Sequence, residues 1–113
     1  MSEEKLPRVL TIAGSDSSAG AGIQLDLKIF ERLGVYGTTV VTAVTAQNTL
    51  GVQKIYKIPR LIVGAQIDSV VRDIGVDACK IGMLFAPQVV DIVAGRIARR
   101  NIPNVVLDPV IAA

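Results

Sequence analysis

The feature that most constrains this chain is a regular alternation of short β-branched runs with longer amphipathic stretches. Residues 8–13 (RVLTIA) read as a strand, 14–20 as a small-residue loop and 22–33 as a helix, with Gly34 placed to end it. Residues 36–45 (YGTTVVTAVT) read as a second strand, and 53–58 (QKIYKI) alternate like a partly exposed one. Pro59 suits the first turn of a helix reaching about residue 74, and Pro87 opens another reaching about residue 100. Residues 78–83 (ACKIGM) read as a buried strand and 104–108 (NVVLD) as a last strand of the central type. Half of the chain is apolar, and only Phe30, Tyr36, Tyr56 and Phe85 are aromatic. An aliphatic excess of this kind suits strands covered on both faces. The pattern implies an α/β fold in three layers, with a mostly parallel central sheet and helices on both sides. Because the last strand has no helix after it, the 113 residues are expected to be the N-terminal part of one longer domain. A small complete domain of five strands is the alternative.

Composition removes several function classes. Twelve Lys and Arg against ten Asp and Glu give a net charge of +2, without the dense basic run that nucleic-acid binding requires. The chain has no His, so within it His-based acid–base catalysis and His metal sites are excluded. Its one cysteine, Cys79, lies in an apolar run, reads as packing and allows no internal disulfide. Residues 33–53 carry no charge, yet their many Thr, Gly, Gln and Asn make them too polar to span a bilayer. Ser2, Glu3, Glu4 and Lys5 do not form a signal peptide. A cytoplasmic protein is expected, with neither a nucleic acid nor a membrane as partner.

Polar residues concentrate where a parallel sheet binds its ligands, outside the carboxyl ends of the strands. Gly14 to Asp16, Thr45 to Gln47, Met83 and Asp108 with Val110 would all project toward that edge. The run Gly14–Gly22 joins a strand to a helix as phosphate loops do, but no Gly-Lys-Ser/Thr follows, and Leu25 stands where a dinucleotide fingerprint needs its third glycine. A turn capped by Ser or Asp is the plainer reading of it. On a helical wheel Ile23, Leu25, Leu27, Ile29, Phe30 and Leu33 form one side, and Asp26 falls within that apolar arc. A carboxylate there is costly unless it is paired or meets a polar ligand. If no partner exists in the free protein, Asp26→Asn should leave stability intact or raise it. Gln47 donates and accepts together, which suits a heteroaromatic ring bearing an amine beside a ring nitrogen, or else a turn. Lys80 reads equally as an edge charge or as the buried partner of a carboxylate. Asp108 could hold a cation or phosphate, although Asp-Pro is also an ordinary turn.

The segments LTIAGSDSSAGAGIQLDLKIF, TAVTAQNTLGV, KIGML and VVLDPVIAA, in this order, resemble the hydroxymethylpyrimidine/phosphomethylpyrimidine kinases of thiamine biosynthesis. That resemblance implies a ribokinase-like fold and ATP-dependent, Mg²⁺-assisted phosphorylation of 4-amino-5-hydroxymethyl-2-methylpyrimidine and then of its monophosphate. By motif it would place Gly14 and Ala21 along the pyrimidine pocket and Thr45 beside it. Asp26 and Gln47 would meet the ring nitrogen and amino group, Met83 and Val110 would sandwich the ring, and Asp108 would approach phosphates and metal. Family members are about twice this length. Their catalytic residue, anion hole and most of the ATP site would lie beyond Ala113, so no catalytic residue is expected in this chain and the isolated chain should be inactive. A homodimer is implied for the full-length enzyme. Pyridoxal or pyridoxine kinase, and a non-catalytic pyrimidine-binding module, are the competing readings.

Overall fold

The structure is a computed structural model that describes residues 5–108. Its elements are β1 (Arg8–Asp16), α1 (Gly22–Leu33), β2 (Tyr36–Asn48), β3 (Gly51–Lys57), α2 (Arg60–Asp73), β4 (Ala78–Ile81), α3 (Pro87–Arg99) and β5 (Val105–Leu107). The strands form one sheet in the order β3-β2-β1-β4-β5, with β3 antiparallel to β2 and the other pairs parallel. Alternation along β1 divides the layers. Leu10 and Ile12 join Val63 and Ile67 of α2 and Val89 and Val93 of α3 in the main core. Thr11, one residue out of phase, faces α1 and bonds Asp26 there. Among the described residues no helix is long and apolar enough to cross a membrane.

Local chemistry accounts for the boundaries. Gly34, at a φ of 72°, ends α1 in the left-handed conformation, and its N–H returns to the Glu31 and Phe30 carbonyls. Pro59 caps α2, and Pro87 stands in the first turn of α3, where a missing N–H costs nothing. β1 and β2 each run three residues past their expected ends, at residues 13 and 45: β1 because its pairing with β2 continues to Asp16, and β2 because its pairing with β3 continues to Asn48. A bulge in β2 between Val41 and Val44 absorbs one extra residue on the way. There β3 has ended, and the Gln66 amide of α2 takes its place: Oε1 accepts from Val41 N at 2.8 Å and Nε2 donates to Val41 O at 3.0 Å. A buried backbone without those bonds would be costly.

Three expectations need correction. The inner stripe of α1 is narrower than the wheel suggested. Ile23 and Asp26 are buried, whereas Leu25, Ile29 and Leu33 are exposed, because α1 rests on β1 and β2 along one edge only. β3 is exposed along its whole length. β5 is the outermost strand of the described sheet rather than a central one, with Val106 62% and Leu107 65% exposed.

Two packing details and one ion pair are testable. A Cβ on Gly37 of β2 would lie 2.8 Å from Phe30 Cδ2 and 2.9 Å from Leu27 Cδ2, so α1 sits directly on that glycine. Gly37→Val should lose about 1–3 kcal/mol in chemical denaturation through overpacking. Gly95→Ala, which has open space around it in α3, should gain up to about 1 kcal/mol from helix propensity. An unshifted midpoint for Gly37→Val would mean that α1 is not seated there.

At the amino end of the sheet, Arg8 binds Asp77 through Nε, Nη2 and its backbone N at 2.8–3.0 Å. Hydrogen bonding to this guanidinium holds the Asp77 carboxyl down at about 2. A depressed carboxylate stabilises the fold above its unfolded value, near 4, and that contribution is lost as pH falls through about 2. Asp77→Asn should therefore flatten the acid side of a melting-temperature profile between those limits; an unchanged slope would show that the pair contributes nothing.

Candidate functional site

The carboxyl ends of β1, β2 and β4 meet at one edge of the sheet, where bonds between side chains and backbone hold the connecting loops. Residues 16–20 form a braced turn instead of a flexible one. The Asp16 carboxylate accepts from Ser18 N at 2.8 Å, Ser18 Oγ at 2.7 Å and Gly20 N at 3.1 Å. These bonds, led by the Ser18 hydroxyl, keep the carboxyl below its ordinary value. From α1, Gln24 reaches back to accept from Asp16 N at 2.8 Å and to donate to Ser15 Oγ at 2.7 Å. Ser17 then clasps the end of β2: its Oγ donates to Gln47 O at 2.6 Å and accepts from Gln47 N at 2.7 Å. The acidic and amide residues that organise this loop, Asp16 and Gln24, were not singled out from the sequence. A carboxylate followed by Ser at the second position is the local signal of such a turn.

Gln47 is thereby fixed by its backbone while its side chain remains half-buried at the edge. The buried Thr45 hydroxyl lies 2.8 Å from the Ser15 carbonyl and 3.1 Å from Gln47 Oε1. Among the described residues, Gln47 Nε2 has no hydrogen-bond partner and keeps its donors available. Gly14 stands between two loops. A Cβ on it would come within 2.7 Å of Phe85 Cε2, and one on Gly22, whose φ is 62°, would strike the Gly14 carbonyl. Met83 is half-buried, and its carbonyl accepts from the Thr42 hydroxyl of β2 at 2.8 Å. Gly14, Thr45, Gln47 and Met83 therefore come to one edge, and Ala21, exposed at the start of α1, follows the same loop. Two open surface grooves lie elsewhere. One runs between Arg60 of α2 and Arg96 of α3, and the other between α3 and β5.

Asp26 lies deeper than the rest. Its Oδ2 accepts from Thr11 Oγ1 at 2.6 Å, and both carboxylate oxygens accept from Lys80 Nζ at 2.9 Å. Thr11 and Lys80 are register partners on β1 and β4, and Thr11 is three residues short of Gly14. Lys80 Nζ extends from β4 toward the carboxyl edge, 3.7 Å from where a Cβ of Gly82 would stand, so the carboxylate it holds lies near that edge. Its side chain is 9% exposed and that of Lys80 25%. The idea of an uncompensated charge in the free protein is therefore wrong, since Lys80 supplies the countercharge, and of its two readings the carboxylate partner holds. Lys80 Nζ also lies 3.6 Å from Asp108 Oδ2, whose side chain is 62% exposed just past β5. Cys79, beside Lys80, is buried, and burial pushes its thiol up to about 11, which leaves it unreactive. Val110 lies outside the described residues.

The sign of the Asp26→Asn effect on stability consequently reverses. Removing the carboxylate leaves the Lys80 ammonium with only the longer contact to the exposed Asp108, so Asp26→Asn should lose about 1–3 kcal/mol. Asp26→Asn combined with Lys80→Met should recover part of that loss, because no unpaired charge remains. Denaturation midpoints of both variants check this; an Asp26→Asn midpoint equal to that of the parent protein would remove the pair from the stability account.

Residues 16–113 match the profile of the family described as phosphomethylpyrimidine kinase. Over 104 residues the chain is 56% identical to the hydroxymethylpyrimidine/phosphomethylpyrimidine kinase of Escherichia coli K12, an alignment spanning 92% of this chain and 39% of that protein. Among solved structures it is similar to the phosphomethylpyrimidine kinase of Clostridium difficile 630, with 45% identity and a TM-score of 0.91 over 95% of this chain and 46% of that one. It is also similar to the pyridoxal kinase of Bacillus subtilis, seen in an ADP complex, with 40% identity and a TM-score of 0.89 over 96% and 41% of the two chains. The chain thus spans 39% of the curated relative's length, and its sheet and helices follow the ribokinase-like arrangement of these kinases. By the match over residues 16–113, this chain belongs to the phosphomethylpyrimidine kinase family.

Proposed function

We propose that these residues are the N-terminal, substrate-binding part of a single ribokinase-like domain. The whole enzyme would transfer phosphate from ATP to 4-amino-5-hydroxymethyl-2-methylpyrimidine and then to its monophosphate. One observation carries the reading: the backbone of Gln47 is held at the carboxyl edge by Ser17, and among the described residues its amide nitrogen has no partner while its Oε1 has only the Thr45 hydroxyl near it, at 3.1 Å, whose proton the Ser15 carbonyl takes at 2.8 Å. An amide so placed can donate to a ring nitrogen and accept from the neighbouring amine in the same plane. Gly14 and Ala21 would border the ring, and Met83 with Val110 would cover its two faces. Asp26, held by Thr11 and Lys80, would meet the ring nitrogen or amino group together with Gln47.

Asp108 fits Mg²⁺ as a single ligand. It presents an exposed carboxylate, and Mg²⁺ commonly takes one or two carboxylates with phosphate oxygens and water completing its shell. Bound there, the ion would offset charge on the transferring phosphoryl group. No residue of this chain takes a catalytic role in this reading, and the isolated 113 residues are expected to be inactive. The full-length enzyme is read as a cytoplasmic homodimer. Pyridoxal kinase is the second reading, favoured by the likeness to the Bacillus subtilis protein.

Gln47→Ala in the full-length enzyme should raise KM for the aminopyrimidine by an amount corresponding to about 1–3 kcal/mol, since ligand polar atoms are left unpaired. KM for ATP should be unchanged. Steady-state kinetics with each substrate varied in turn checks both, and an unaltered pyrimidine KM would rule the role out. Higher kcat/KM for pyridoxal than for the aminopyrimidine in the parent enzyme would favour the second reading.

A further inference from the structure

Phe85 adopts a φ of 74°, a region that bulky side chains rarely enter. The other described non-glycine residues at positive φ are Asn101 and Asn104, a type that tolerates it better, and the small Ala19 in the turn after Asp16. The segment around Phe85 is pinned on both sides. Gly82 N donates to Ile12 O at 2.8 Å, the Thr42 hydroxyl holds Met83 O, and α3 starts at Pro87 with Val89 N and Val90 N bonded to Ala86 O. Between these anchors the backbone turns at Phe85, and its ring edge lies where a side chain of residue 14 would stand.

No other described aromatic is shown against Gly14, and Tyr56, though in register with Val44, is separated from β1 by β2. Phe30 packs from α1 against Gly37, Tyr36 begins β2 at the opposite end, and Tyr56 is exposed on β3. A strained conformation that persists is held by its surroundings, and it is an observed outlier from which a role can be inferred. Here it turns a half-buried aromatic ring onto the glycine at the mouth of the proposed ring site rather than into solvent.

We infer that Phe85 determines ring selectivity at this site, by holding an aromatic wall against Gly14 where a compact heteroaromatic ligand packs and a more heavily substituted ring is obstructed. The inference rests on the proposed function, since it needs a ring ligand at this edge. Phe85 takes no part in phosphate transfer, so its removal should act on ring binding and leave ATP binding alone.

The test uses the full-length kinase carrying this sequence, with Phe85→Ala and Phe85→Asn as variants. Asn occupies positive φ readily, so the second variant removes the ring while relieving the backbone. Calorimetric titration with the aminopyrimidine, pyridoxal and an ATP analogue gives three affinities per protein, and thermal melts report folding. Both variants should bind the aminopyrimidine roughly 10-fold more weakly, the loss expected for a missing aromatic contact. Pyridoxal should bind as well as before or better, and the ATP analogue equally well. Folded variants with unchanged ring affinities and an unchanged ratio between the two rings would overturn the inference while leaving the proposed function standing. A parent enzyme that binds neither ring would overturn both. Two variants that fail to fold would make Phe85 a packing residue and overturn the inference alone.

Discussion

The middle of β1 has no access to water, and the rest of the arrangement depends on that. Leu10, Thr11 and Ile12 are fully buried, so their backbone groups must find partners on both sides, and parallel β2 and β4 supply them. With both neighbours parallel, three carboxyl ends fall at one edge. Everything placed in the candidate site hangs from these ends: the turn after Asp16, the Thr45–Gln47 segment and the loop that begins at Gly82. Gly14 occurs where these elements converge, because the Phe85 ring stands where its Cβ would be, and the Gly14 carbonyl in turn leaves Gly22 no room for one. Close packing requires both glycines.

Much of this was legible in the sequence where a single periodicity or a single residue decides. The α1 boundaries agree with expectation because Gly34 has one good conformation there, and α2 and α3 begin where their prolines allow. What could not be read was set by tertiary partners. The extension of β1 depends on β2 and that of β2 on β3, and neither segment carries an apolar pattern that would announce them. The outward Leu25, Ile29 and Leu33 are as apolar as the inward Leu27 and Phe30, and only the seat on Gly37 selects between them. The central character expected of β5 came from its composition, whereas its position at the rim of the described sheet comes from strand order.

Asp26 shows the same limit in the site itself. Its helical phase correctly indicated a buried carboxylate needing a partner, but phase cannot say which partner. Lys80 was visible as a lone charge in an apolar strand, 54 residues away, and only the parallel register of β1 with β4 brings the two together. Two residues that each break the apolar pattern of their own element are candidates to satisfy one another. Here that pairing supplies the partner that burial of the carboxylate demands in the free protein.

The Ser17–Gln47 clasp then explains why an exposed loop can serve a small ligand at all. Ordering a mobile segment on binding consumes affinity, and a six-membered ring has few atoms with which to recover it. In this chain the ordering is already done within the protein: Asp16 ties the turn to itself, Gln24 ties it to α1, and Ser17 ties it to β2. Gln47 thus presents its amide from a backbone that ligand binding need not rearrange. Of its polar side-chain atoms, only Oε1 must exchange the Thr45 hydroxyl for a ligand, and Thr45 keeps its shorter bond to Ser15 when that exchange occurs.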